Sequence, residues 1–111
     1  MEKQLKEIIK ALVDNKAEDV IYFDCSNVNP LAQYYIICSA NSIRHASALA
    51  NYAKEALEKN DIKINHIEGN EKSEWILVDA NDYIVHIFTH TGREKYNLEK
   101  MWSNQKIYKV D

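Results

Sequence analysis

Near the start of the chain, apolar residues recur at Leu5, Ile8, Ile9, Leu12 and Val13. This is the i, i+3, i+4, i+7, i+8 spacing of a helix with one buried stripe, and Lys3, Lys6, Glu7 and Lys10 fall on the other side. A first helix is predicted from Glu2 to Asn15. The period then changes. Val20 to Cys25 and Tyr34 to Cys38 are β-branched and aromatic runs separated by the breaker Asn27-Val28-Asn29-Pro30, and both are apolar enough to be central strands. Ile43, Ala46, Ala50, Ala53 and Leu57 return to helical spacing behind Ser42, a plausible N-cap, so a second helix is predicted from Ser42 to Glu58. It leads to a strand at Ile62 to Ile67, and a strand-helix-strand run of this length implies a right-handed parallel crossover. Trp75 to Asp79 and Tyr83 to Phe88 follow as strands joined by a very short turn. A last helix is expected from Thr91, with a capping box at Thr91-Gly92-Arg93-Glu94 and with Tyr96, Leu98, Met101 and Trp102 on it. The order α-β-β-α-β-β-β-α describes an α/β chain with a mixed five-stranded sheet and packed helices.

The hairpin carries the most information. With Ala80 and Asn81 as a two-residue loop, Asp79 faces Asp82, Leu77 faces Ile84 and Trp75 faces His86, all on one side of the sheet. Asn81 tolerates the positive φ that such a turn needs. Ile76, Val78, Tyr83, Val85 and Ile87 form the more apolar side and are the core candidates. Trp75, Leu77, Ile84 and His86 are left as an amphipathic strip ending in two carboxylates. Like charges directly across a hairpin destabilise it. Either a cationic partner meets Asp79 and Asp82, or the turn is solvated and its charges are screened.

Composition narrows the class. The 111 residues fit one domain spanning 1–111, 46% are apolar, and only two glycines and one proline are present, so regular structure should fill most of the chain. The net charge of −3 offers no basic footprint for DNA or for an anionic membrane. Charge is nonetheless uneven: Glu68 to Asp82 holds five acids against Lys72, and Arg93 to Lys109 holds five bases against Glu94 and Glu99. Cys25 and Cys38 are too few for a disulfide framework. With no apolar leader and no run long enough to span a bilayer, a cytoplasmic protein is expected.

Candidate chemistry is sparse. His86 and His90 have the spacing of a helical zinc pair, but on a strand four residues span roughly 13 Å, too far to share an ion, and no metal or other cofactor is expected. Arg44 and His45 lie at the start of the second helix, where backbone N–H groups attract anions, so Ser39-Ala40-Asn41-Ser42 would cradle a phosphate or carboxylate. The alternative there is Ser42 as a simple cap and Arg44 as a solvated charge. No Walker loop, GxGxxG or GxSxG is present. Asp24, Asp79 and Asp82 are the carboxylates at strand ends, and none forms a DxD pair.

Several segments together resemble the ribosomal silencing factor family, also called the Iojap family. Lys16-Ala17, Tyr34-Tyr35-Ile36-Ile37 and Ser42-Ile43-Arg44-His45 are similar to its DYFVI and SSRH stretch. Glu68-Gly69, Trp75, Asp79-Ala80-Asn81-Asp82 and Val85-His86-Ile87-Phe88 follow its EG, W, DxGD and VHVF pattern, and Arg93, Tyr96, Leu98, Glu99 and Trp102 its closing positions. The chain departs from the pattern at Gln33, Ala40, Asn41 and Asn81. The resemblance implies a nucleotidyltransferase-like fold without paired metal carboxylates. It further implies a non-enzymatic factor that binds a large-subunit ribosomal protein at the subunit interface and blocks joining of the small subunit in starvation. Since ribosomal proteins are typically basic, the expected docking residues are Trp75, Leu77, Asp79, Asp82, Ile84 and His86. Arg44, His45, Arg93 and Tyr96 are secondary candidates, with limited rRNA contact and a possible free homodimer. Two rival readings are a nucleotide-dependent transferase, using Ser39, Ser42 and Arg44 for phosphate and Asp79 and Asp82 for metal, and a dimerising adaptor.

Overall fold

A computed structural model describes residues 2–25, 33–98, 100 and 106–110. The elements are α1 (Lys3–Asp14), β1 (Glu18–Asp24), β2 (Tyr34–Ala40), α2 (Ile43–Lys59), β3 (His66–Glu68), β4 (Trp75–Ala80), β5 (Tyr83–Thr89), α3 (His90–Tyr96) and β6 (Ile107–Lys109). The strands form one sheet in the order β3-β4-β5-β2-β1-β6. It is mixed, because β2 and β5 are parallel and every other pair is antiparallel.

The apolar stripes read from the sequence explain the layers. Leu5, Ile8, Ile9 and Leu12 of α1 and Ala46, Leu49, Ala50, Ala53 and Leu57 of α2 are buried against one face of the sheet. Alternation along the strands turns Ile36, Cys38, Ile76, Val78, Tyr83, Val85 and Ile87 into this core, the last five as the hairpin pattern predicted. Ser42 caps α2 by accepting from the His45 N–H at 3.0 Å. The opposite face holds a smaller cluster of Ile21, Phe23, Cys25, Ile37 and Phe88, with Tyr35, Trp75 and Leu98 packed against it.

Four expectations are corrected. The sheet has six strands, because Ile107–Lys109 adds an edge strand beside β1, a segment of three residues too short to give a periodic signal. The strand after α2 is confined to His66–Glu68, all exposed, and it is an edge. The crossover from β2 therefore ends parallel to β2 but with β4 and β5 between them, since β5, apolar on both faces, takes the place next to β2. Helix α3 begins at His90 and is capped by Thr89, whose side chain accepts from the Gly92 N–H, rather than by Thr91. It ends at Tyr96, followed by Asn97 with φ 45°, so Leu98 lies beyond it. Asn27 to Pro30, Glu99, Met101 and Trp102 fall outside the described residues.

Candidate functional site

The hairpin closes over Asn81 and Asp82, because Ala80 pairs with Tyr83, Asp79 with Ile84, Leu77 with His86 and Trp75 with Phe88. This is a two-residue slip from the expected pairing, so each residue keeps its face while its partner changes. Asp79 therefore does not oppose Asp82. Two causes are visible. Ala80 is fully buried and extends the alternation of Ile76 and Val78 by one more position. Asn81 takes φ 67° and ties the turn down: its N–H donates to Asp79 Oδ1 at 3.1 Å, its Oδ1 accepts from Asn65 Nδ2 at 2.6 Å, and its own Nδ2 donates to the Lys63 carbonyl. Asp79 is accordingly a turn-bracing group as well as a rim charge, with the His66 ring 3.6 Å away, while Asp82 stands exposed on the turn.

Register across the sheet then sets out the face that neither α1 nor α2 covers. His66 lies beside Asp79 and Glu68 beside Leu77, followed inward by Ile84 and His86 on β5 and by Tyr35 and Ile37 on β2. Leu77 and Ile84 are half-buried and belong to neither core cluster. Glu68, Asp79 and Asp82 border this apolar strip with acid. Residues His66, Glu68 and Tyr35 were not among the expected docking positions. Their signal was cross-strand register, which only the assembled sheet supplies.

His86 is not an exposed contact. It sits on a central strand at 6% exposure, with the Tyr35 and Phe88 rings 6.2 and 6.3 Å from its own. Its Nδ1 accepts the indole N–H of Trp75 at 3.0 Å, which places the ring proton of the neutral imidazole on Nε2. Burial pulls its pKa down from 6.5 to about 4. Trp75 is half-buried: its ring lies 5.1 Å from that of Phe88 and 4.9 Å from that of Tyr96. Tyr96, at the end of α3, is 46% exposed and carries the aromatic cluster to the surface.

The remaining candidates have structural partners. His45 Nδ1 accepts the Asn41 N–H at 2.9 Å, so its Nε2 is the donor to the Asn15 carbonyl, and the ring locks the end of α1 to the start of α2. Arg93 Nη1 donates to the Asp19 carbonyl at 2.6 Å and to Ser39 Oγ at 2.9 Å, which fastens α3 across β2 to an irregular point in β1 where Asp19 adopts φ 48°. Ser39, Asn41 and Ser42 thus spend on internal bonds the groups that a phosphate cradle would use, which favours the capping reading; Arg44 stays exposed. His90 Nε2 pairs with Glu18 Oε1 at 2.5 Å, on a different element from the partner of His86. Cys25 and Cys38 are free and buried, and burial pushes the Cys38 thiol up to about 12. Among the described residues no group of three or more His, Cys, Asp or Glu is arranged to hold a metal, and no helix is long and apolar enough to cross a membrane.

Comparison with known proteins agrees with this architecture. A crystal structure of a Chromobacterium violaceum protein superposes with a TM-score of 0.86 at 38% identity, covering 96% of this chain and 90% of that one. The ribosomal silencing factor of Bacillus subtilis is 34% identical over 111 residues, 99% of this chain and 94% of its own length. A more distant mouse protein, named for mitochondrial assembly of the ribosomal large subunit, is 26% identical over 86% of this chain and 43% of its own. The sequence profile described as "Ribosomal silencing factor during starvation" matches residues 1–111, and with a relative of this identity and coverage it follows that the chain belongs to the ribosomal silencing factor family.

Proposed function

We propose that this protein is a ribosome-associated silencing factor that docks on a basic large-subunit ribosomal protein, through the sheet face left open by α1 and α2, and so blocks joining of the small subunit. The observation that carries the reading is the strip of Trp75, Leu77 and Ile84, continued by Tyr96 and bordered by Glu68, Asp79 and Asp82. An apolar centre with an acidic rim suits a basic protein surface better than rRNA, whose phosphates a chain of net charge −3 gains little by approaching. The family name and the mouse relative's name point to the ribosome and its large subunit. The action is steric, it needs no catalytic group, and it belongs in the cytoplasm where ribosomes assemble. His86 contributes from beneath, by holding the Trp75 indole in place.

Leu77 and Ile84 make the cleanest test, since neither belongs to the packed core. Leu77→Asp with Ile84→Ser should leave the thermal melt within a few degrees of wild type. Pelleting with isolated large subunits should weaken by about thirtyfold or more, the equivalent of about 2 kcal/mol from an interface centre. The double variant should also fail to inhibit subunit joining in a sucrose gradient. Asp79→Lys with Asp82→Lys should chiefly slow association and flatten its salt dependence. A folded Leu77→Asp, Ile84→Ser protein that pellets like wild type would remove this face as the docking surface. If the same face joined two copies instead, sedimentation would show a dimer that the double variant abolishes while ribosome binding persists.

A further inference from the structure

One polar group is left over behind the apolar strip. The Trp75 indole can only donate, so His86 Nδ1 accepts from it and the proton of the neutral imidazole sits on Nε2. Among the described residues nothing accepts that second N–H. The flanking rings of Tyr35 and Phe88 lie nearly parallel to the imidazole, at 9° and 14°, so neither turns its π face to an N–H in the imidazole plane. Every fully buried side-chain nitrogen or oxygen of the described residues does have a hydrogen-bond partner. Nε2 is therefore not one of the buried atoms, and the 6% of His86 that stays exposed includes it.

The surroundings make this a recess in the open face. His86 stands across from Leu77 on β4 and beside Ile37 on β2, with Ile84 and Phe88 two positions away along β5 on the same side. With so little of the ring open, a single oxygen atom can reach the nitrogen and a bulky group cannot. Solvent can satisfy the donor while the face is free. A partner seated there excludes solvent, and a donor buried without an acceptor weakens a complex by roughly tenfold or more. The rim narrows the chemistry of the acceptor. Glu68 pairs with Leu77, which separates it from His86, and Asp79 lies diagonally across on β4. These carboxylates repel a phosphate or carboxylate oxygen and tolerate an uncharged one.

We propose that His86 determines specificity for the ribosomal protein: in the docked complex its Nε2–H donates to an uncharged carbonyl oxygen, of the partner's main chain or of an Asn or Gln side chain. The role rests on the docking proposed above and adds a polar demand to an apolar surface. A basic protein with an apolar patch but no oxygen at that point is rejected, because docking would strand the donor.

The experiment separates the two ring nitrogens. His86 is replaced in the whole chain by a thiazolylalanine whose ring nitrogen occupies the Nδ1 position and whose sulfur replaces Nε2–H. The acceptor for Trp75 is kept, so indole emission and the thermal melt should match wild type. Pelleting with isolated large ribosomal subunits should weaken by about tenfold. If the emission or the melt shifts, His86→Asn is read in its place, since its Oδ1 reaches the Nδ1 position and it carries no donor at Nε2. The second measurement needs no variant: in a cryo-electron microscopy reconstruction of the wild-type protein on the large subunit, an uncharged oxygen of the partner should stand within about 3.2 Å of Nε2. A folded thiazole or Asn variant that pellets like wild type overturns the proposal. So does an apolar group, a phosphate or a carboxylate against Nε2. In those cases Leu77→Asp with Ile84→Ser still loses binding, and the docking surface stands without this donor. If that double variant binds normally, or the reconstruction seats another face on the subunit, the docking surface and the role of His86 fall together.

Discussion

Acidification should destabilise this protein through His86 in particular, and the size of the effect follows from its burial. The imidazole is 6% exposed, lies between aromatic rings, and uses Nδ1 as the acceptor for Trp75. Protonation would convert that acceptor into a donor facing another donor and would place a charge in an apolar layer. The folded chain therefore holds off the proton until about pH 4, whereas the unfolded chain takes it up near 6.5. Between those values the unfolded state binds more protons, so stability falls as the pH is lowered. The loss begins near pH 6.5, is complete below about 4, and amounts to about 3 kcal/mol at 1.36 kcal/mol per pH unit. Above pH 6.5 both states carry neutral imidazole and the residue has no pH-dependent effect. Since carboxylates titrate in the same window, the measurement is a difference. Urea unfolding of wild type and of His86→Gln, which keeps an acceptor and cannot titrate, is followed by tryptophan fluorescence at pH 7, 5.5 and 4. Wild type should lose about 3 kcal/mol more than the variant across that range. An NMR titration should also show His86 neutral, with its proton on Nε2, down to about pH 4. Equal pH dependence in the two proteins, or a His86 that titrates near 6.5, would refute the reasoning.

Two further outcomes test how α3 is attached. Gly92→Ala should destabilise the fold by about 1–3 kcal/mol, because a Cβ there would come within 2.6 Å of the Glu74 carbonyl, and a thermal melt should fall by several degrees; an unchanged melt would mean that α3 shifts freely on the sheet. Arg93→Ala removes the donor to the Asp19 carbonyl and Ser39 Oγ and should cost about 1.5–3 kcal/mol in urea unfolding, with Arg93→Lys recovering only part, since a freely rotating ammonium is not pre-organised as the planar guanidinium is to aim two N–H groups at both acceptors.

The parts of the molecule that were legible in the sequence are those governed by period and by local chemistry. The helix stripes of Leu5 to Leu12 and Ala46 to Leu57, the Ser42 cap, and the positive φ at Asn81 depend on residues a few positions apart, so their spacing specifies them. Face parity in the hairpin was legible for the same reason: alternation has a period of two, and a two-residue slip leaves it intact. The family was legible because a series of motifs keeps its order along the chain. Register, neighbour choice and burial of the second face were decided only by the assembled sheet. Asp79 faces Ile84 because Ala80 fits the helix-side core and Asn81 finds Asn65 and Lys63. His86 is buried because β5 runs between β2 and β4 and the Trp75 indole, two residues away from its directly opposed partner, reaches across to it. His45 and Arg93, which by residue type alone suit a binding surface, became braces once α1 and β1, distant in sequence, were brought to them. Local periodicity fixes which side of an element is apolar, but what lies against that side depends on contacts between segments far apart in the chain, and those exist only after folding.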